Sequence, residues 1–253
     1  MCPLHKMSDD NEVQNTDSSP IEKHEELDDD DAPTEDSISS PPETQEGGSY
    51  TSGANNLEKM ILSTGIRVGT PVKTKYMTQF IVRANPEGLY ILDISKTLAK
   101  IDVAAKFIGR ANISRVAVIS AREYGKTPVE KFCELTGAIS IFGRFMPGTF
   151  TNPSLPKYME PEIVIVTDPQ ADQQAVLEAT RAGVPVIAIS NSDNVTSKVD
   201  LVIPANNRGR KALATVYWLL AREVLKRQGT IKSDSEMRMS IDDFETKLVE
   251  ELS

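Results

Sequence analysis

A doubly wound α/β domain, with a mostly parallel, Rossmann- or flavodoxin-like sheet flanked by helices, is what the amino-acid sequence predicts. Three observations carry it. Four short apolar runs, Val116–Ile119, Ile163–Val166, Val186–Ile189 and Leu201–Ile203, lack polar alternation, as strands covered on both faces do. Helical patterns are interleaved with them, the signature of parallel crossovers. The segment carrying this alternation, residues 56–229, is roughly 175 residues long, enough for one domain to bury a core without staples.

The elements follow in order. Asn55 or Asn56 can cap a short helix carrying Leu57, Met60 and Ile61 that stops at Gly65. Gln79–Arg83 and Leu89–Asp93 flank Asn85-Pro86-Glu87-Gly88, a turn tetrad with proline second, and so predict a hairpin. Ser95 is the expected cap of a helix with Leu98, Ile101, Ala105 and Ile108 on one face, ending before Gly109. After the Val116–Ile119 strand, Thr127 as cap and Pro128 as first helical residue open a helix running through Phe132 and Leu135 to Gly137. Strand Ile163–Val166 leads to a helix over 171–182 with Gly183 as its stop. Strand Val186–Ile189, a turn over 194–198 and strand Leu201–Ile203 follow, and a long helix over 209–228 closes the domain. Ligands of such sheets bind beyond the carboxyl ends of the strands, so function is sought in the loops after Ile119, Val166, Ile189 and Ile203.

Charge divides the chain. The 253 residues carry a formal net charge of −9, but residues 1–55 hold 15 acids against two bases, a net of −13. Residues 56–229 hold 23 bases and 15 acids, a net of +8, and residues 230–253 hold three bases and seven acids. The expected organisation is therefore a disordered acidic tail (1–55), a basic α/β domain (56–229) and a C-terminal extension, partly helical or disordered (230–253). The tail composition, rich in Asp, Glu, Ser and Pro, offers too little apolar area to offset the entropy of ordering it.

Several function classes fall away. Cys2, Cys133, His5 and His24, three of them in the acidic stretch, cannot assemble a four-ligand zinc site or a disulfide framework. No apolar run nears the ~18–20 residues of a membrane span, and nothing near Met1 has the pattern of a secretory signal. The expectation is a cytoplasmic protein without a membrane partner, cofactor or metal. The domain contains no histidine, which removes the commonest general acid/base, and no Gly-x-Gly-x-x-Gly follows a strand. The sharpest catalytic candidate is Ser120-Ala121-Arg122-Glu123-Tyr124-Gly125-Lys126-Thr127, which ends in Gly-Lys-Thr as a phosphate loop does, with Asp168 placed like a magnesium-side aspartate. Ser120 stands where the first glycine should be, and Pro128 removes an N–H from the cradle. A nucleotide-binding enzyme or switch using Gly125-Lys126-Thr127 is the alternative reading; the leading one is not an enzyme.

The leading reading comes from the bases. Gly65–Tyr76 places Arg67, Lys73 and Lys75 in one loop with glycines and an aromatic, a mixture suited to phosphate contact and stacking. Asn206-Asn207-Arg208-Gly209-Arg210-Lys211 puts three cations at a helix N-terminus, where free N–H groups also favour anions. Gly143–Pro153 is a long loop with Arg144, Phe145 and Phe150, and loops of such length usually serve function or a partner.

These stretches, together with Gly88-Leu-Tyr-Ile-Leu-Asp93, Glu160-Pro-Glu-Ile-Val-Ile-Val-Thr-Asp-Pro169 and Ile203-Pro-Ala-Asn-Asn-Arg-Gly-Arg-Lys-Ala-Leu213 with Tyr217-Trp218, resemble the S-two family of small-subunit ribosomal proteins. The resemblance runs over about residues 57–229, in the archaeal form without the bacterial helical-hairpin insertion. One departure is Arg67, where the family often has histidine. The resemblance implies a non-catalytic structural constituent of the small ribosomal subunit, supporting assembly and translation. Its partners would be small-subunit ribosomal RNA and neighbouring ribosomal proteins, with no small-molecule substrate. The expected RNA contacts are Arg67, Lys73, Lys75, Arg122, Lys126, Arg144, Arg208, Arg210 and Lys211.

Overall fold

The computed structural model describes residues 60–231, 237 and 239–247, so the expected acidic tail over residues 1–55 lies outside the described residues. Residues 60–63 are helical. The hairpin forms where the Asn85–Gly88 tetrad predicts it, with β1 (Ile81–Ala84) antiparallel to β2 (Tyr90–Leu92). The Gly88 N–H donates to Asn85 O at 2.9 Å, and Gly88 takes the left-handed φ of 82° that makes glycine the fitting residue there. Helix α1 (Ile94–Ile108) starts two residues earlier than expected: the Asp93 carboxylate, not Ser95, is the cap and accepts from the Ser95 N–H.

The sheet elements are β3 (Val116–Ser120), α2 (Lys126–Thr136), β4 (Ile139–Phe142), β5 (Ile163–Val166), α3 (Gln173–Ala182), β6 (Val186–Ser190), β7 (Leu201–Pro204) and α4 (Arg210–Arg227). A single helical turn, α5 (Ile241–Phe244), follows near the C-terminus. The strands run parallel in the order β4-β3-β5-β6-β7, with Ala117 paired to both Ile139 and Val164, and Ala188 to Val202. The predicted doubly wound fold is the observed one. The chain leaves β3 toward β4 on one side and resumes on the other side at β5, so the topological switch point lies between β3 and β5.

Alternate residues of each strand feed opposite faces. Val118, Ile165, Ile187 and Ile203 pack with α1, α2 and α4, while Ala117, Val164, Val166 and Ala188 pack with Phe145, Phe150 and the apolar side of α3. Helix α4 is buried on almost its whole circumference from Ala212 to Leu225. Tyr217, fully buried on it, stands edge-on to Phe132 at 5.8 Å and shares a 2.8 Å hydrogen bond with Thr167. Met77, Phe80 and Leu92 close the outer flank against Val202 of β7. The segment after α4 also packs on the core, since Phe244 is fully buried and Trp218 Nε1 donates to Met239 O at 2.9 Å. No helix of the described residues is long and apolar enough to cross a membrane.

Three further local expectations differ from the structure. Strand β4 is not anticipated, because its four residues form a half-exposed sheet edge directly after the Gly137 stop. Helix α2 begins at Lys126 with Gly125 as its cap, which puts Thr127 inside the first turn. Helix α3 begins at Gln173, after Asp172.

Candidate nucleic-acid interface

The fold places all of the sequence-predicted cations but Lys211 on the strand-end side of the sheet. Arg122 and Lys126 follow β3, Arg144 follows β4, and Arg208 and Arg210 follow β7. The 67–75 segment joins them through backbone contacts. Asn206 N–H donates to Ile66 O at 2.8 Å, Thr74 N–H to Ser192 O at 2.9 Å, and Thr70 N–H to Ser192 Oγ at 2.9 Å. Gly69 is where this loop passes closest: a Cβ there would stand 2.7 Å from Tyr90 O and 3.0 Å from Ser192 Oγ, so no side chain fits.

The cations are not equivalent. Arg67, Lys73, Lys75, Lys126 and Arg144 are exposed, and none forms an ion pair among the described residues. Lys73 Nζ lies 5.0 Å from the Tyr90 ring centroid, a cation–π placement that aims it without neutralising it. Tyr76 is 49% exposed and packs T-shaped against Phe80 at 5.9 Å, whereas Phe145 and Phe150 are buried against each other at 5.0 Å and belong to the core. Arg122 and Arg208 are held by carboxylates, Arg122 by Asp168 and Arg208 by Asp193. Lys211 faces elsewhere, lining a groove with Met60 and Trp218.

Beneath the cations runs a polar network that the sequence reading missed. Asp168, fully buried at the end of β5, accepts from Arg122 Nε at 2.7 Å, from Asn194 Nδ2 at 2.9 Å and from Gln170 N–H at 3.0 Å. Asn194 Oδ1 in turn accepts from Asn207 Nδ2 at 3.0 Å and Asn191 N–H at 2.6 Å. Loops after β3, β5, β6 and β7 are therefore fixed to one another, which preorganises the charges they carry. Asp172 adds a tie, accepting from Ala121 N–H at 2.9 Å, while its Oδ2 is buried without a hydrogen-bond partner among the described residues. Burial, reinforced by the Asp168 charge, pushes the Asp172 carboxyl up to about 7 against the opposing pull of Ala121 N–H and Arg122. Glu178 on α3 anchors the long loop after β4, accepting from Gly148 N–H at 2.7 Å and Phe150 N–H at 3.3 Å. Short polar residues in loops read as turn formers in sequence, and only the tertiary pairing exposes their role.

Catalytic geometry is weaker. Arg122 occupies the mouth of the switch-point crevice and neutralises Asp168 there, the position that a phosphate–magnesium pair would need. A Cβ on Gly125 would sit 2.2 Å from Ser120 Oγ, so the segment is folded back on itself rather than open as an anion cradle. Burial raises the Cys133 thiol to about 12, which suits a packed side chain. Among the described residues, no three histidine, cysteine or carboxylate side chains converge where they could hold a metal ion.

A family model described as ribosomal protein S2 matches residues 61–159 and 154–226, the span that runs from before the hairpin into the last turn of α4. The chain belongs to this family. The chain is 60% identical to the small ribosomal subunit protein uS2 of Nitrosopumilus maritimus over 196 residues, 78% of this chain and 95% of that protein. It is 52% identical to the uS2 of Cenarchaeum symbiosum over 202 residues, 80% of this chain and 97% of that one, and 50% identical to the uS2 of Thermofilum pendens over 191 residues, 76% and 89% of the two chains. Membership in the S2 family places the chain among ribosomal proteins, which are not an enzyme class. In this S2-family chain all nine predicted contacts lie inside the matched span.

Proposed function

We propose that this protein is a structural constituent of the small ribosomal subunit that binds ribosomal RNA through the strand-end edge of residues 56–229. The observation that carries the reading is the convergence of cations from four separate segments on that edge, with the network of Asp168, Asn194 and Asn207 fixing the loops. Phosphates would meet Arg67, Lys73, Lys75, Lys126 and Arg144 directly, and Tyr76 is available to stack on a base. Arg122 and Arg208 would contribute less net charge, since each is already paired, and Arg210 and Lys211 lie at the amino end of α4. In this reading the protein works in the cytoplasm, makes further contacts with neighbouring ribosomal proteins, and has no catalytic step of its own.

The test is a chemical footprint of the RNA on purified small subunits with and without this protein. Protection should appear in a compact set of backbone positions and be lost, position by position, when Lys73, Lys75 or Lys126 is changed to alanine. Protection that survives all three changes would refute the assignment of this edge. Magnesium-dependent nucleotide hydrolysis that vanishes in Lys126→Ala would instead favour the phosphate-loop alternative.

A further inference from the structure

Away from the strand ends, a groove of about 770 Å³ opens between the helical residues 60–63, α4 and the segment around α5. Its floor is apolar and adaptable, made by Met60, Met237, Met239 and Trp218, with Met60 still 44% exposed. Unbranched methionines reshape readily around different apolar side chains. Among the described residues that line it, Asp242, Asp243 and Glu245 stand with one base, Lys211, and Lys247 and Lys131 act on Asp243 from outside the lining.

The rim is held firmly. Phe244 is fully buried between its acids, and the Ser240 N–H and hydroxyl donate to Asp243 at 2.8 and 2.9 Å. These bonds hold the Asp243 carboxyl below its ordinary value, so it is ionised at neutral pH. Farther along, Thr246 Oγ1 donates to Tyr124 O at 3.0 Å. A patch of three carboxylates thus stands on a domain whose residues 56–229 carry +8.

We propose that this groove docks a basic, aliphatic-bearing segment of another protein. Its apolar side chains would rest on Met60, Met239 and Trp218, and its lysines or arginines would pair with Asp242, Asp243 and Glu245. Charge chooses the occupant: a phosphate backbone approaching this rim meets like charge, whereas a cationic chain meets its complement. The size of the cleft suits the anchoring side chains of a segment rather than the face of a folded domain. RNA on the strand-end edge and a protein segment on the helical layer would then bind without competing.

Trp218 is the only tryptophan of the chain and lies in the groove, so its emission reports occupancy. The full-length protein is titrated with a short amphipathic lysine–leucine peptide, a glutamate–leucine peptide of the same pattern, and a mixed-sequence single-stranded RNA. The lysine–leucine peptide should saturate the Trp218 signal and the glutamate–leucine peptide should not. The double variant Asp242→Lys, Glu245→Lys, at an exposed and a half-buried position outside the core, should weaken the lysine–leucine peptide about tenfold or more with an unchanged melting temperature. Equal binding by the variant, equal binding of the acidic peptide, or saturation of the Trp218 signal by the RNA alone would each overturn the proposal. In purified small subunits, a photo-cross-linker placed at the exposed Ser63 should capture a lysine- or arginine-rich protein stretch; capture of RNA, or of no protein, overturns it as well.

Discussion

Arg122 and Asp168 bridge the switch point: Arg122 Nε donates to Asp168 Oδ2 at 2.7 Å, and Nη2 reaches the same oxygen. Asp168 is fully buried while the Arg122 side chain keeps 32% of its surface exposed, so one partner depends on the other more than the reverse. The guanidinium closes from within the crevice that open α/β sheets commonly use for a ligand. A fold shared with many enzymes here supports a basic surface, and the arginine's exposed edge is part of that surface.

Removing the arginine should cost more than softening the aspartate. Arg122→Ala leaves a buried carboxylate without its counter-ion, a change that typically destabilises by about 3 kcal/mol or more. Asp168→Asn keeps Oδ1 for Asn194 and Gln170 but puts an amide NH2 where Oδ2 accepted from Arg122; the partly exposed guanidinium can turn to water and no charge stays buried unpaired, so the loss should be smaller, about 1.5–3 kcal/mol. Urea denaturation of both variants measures the order; Asp168→Asn as the more damaging change would show that Arg122 is a surface cation only.

The exposed lysines should set the salt dependence of RNA binding. If Lys73, Lys75 and Lys126 each neutralise a duplex phosphate, the triple alanine variant should flatten the slope of log K against log salt by about 2.7. Stability should move little, within about 0.5 kcal/mol at each exposed site. The triple change at Arg208, Arg210 and Lys211 should flatten it less, because Arg208 is paired with Asp193 and Lys211 faces the groove. Equal slopes for the two triples would contradict this ranking.

How much of this was legible in the sequence depends on where each residue's partners lie. The buried strands announce themselves, since a run such as Ile163–Val166 needs only its own composition to be recognised. Strand β4 does not, because Ile139-Ser140-Ile141-Phe142 looks like any short linker until Ala117 pairs with it. The cations were legible because charge on loops after strands is local information. The network was not: Asp168 suggests another role in sequence, the side-chain partners of Asp168, Asn194 and Asn207 lie 13 to 46 residues away, a polar loop residue reads first as a turn former, and Glu178 is one helical acid whose partner lies 30 residues away. Phe145 and Phe150 show the converse, aromatics beside an arginine that suggest stacking but fill the core.

Asp172 should make stability pH-dependent in an unusual direction. Its carboxyl sits at about 7 in the folded protein against 3.8 as the ordinary value. Between those values the native state holds a proton that the unfolded chain has released, so its contribution to stability falls as pH rises from about 4 to 7 and levels off above. Asp172→Asn removes that dependence while keeping an acceptor for Ala121 N–H. The variant should gain on the parent by up to roughly 4 kcal/mol between pH 4 and 8. Parallel pH–stability curves for the two proteins would sink the assignment.

Glu178 should act on RNA binding through Arg144 without touching RNA itself. Its carboxylate is 3% exposed and takes the Gly148 and Phe150 N–H groups, so it sets the course of the loop that starts at Gly143. Glu178→Ala would orphan both donors, at about 1–3 kcal/mol each where they stay buried, and the loop should shift to satisfy them. Hydrogen exchange at Gly148 and Phe150 should then accelerate while amides of β5 and β6 stay protected. If Arg144 contacts one phosphate, Arg144→Ala flattens the salt slope by about 0.9 for duplex RNA, and Glu178→Ala should flatten it by a similar amount. The double variant should lose no more than either single one, because a displaced arginine and an absent one are equivalent to the RNA. Additive losses would mean that Glu178 supports the interface by a route other than Arg144, such as the packing of α3 beneath β5 and β6.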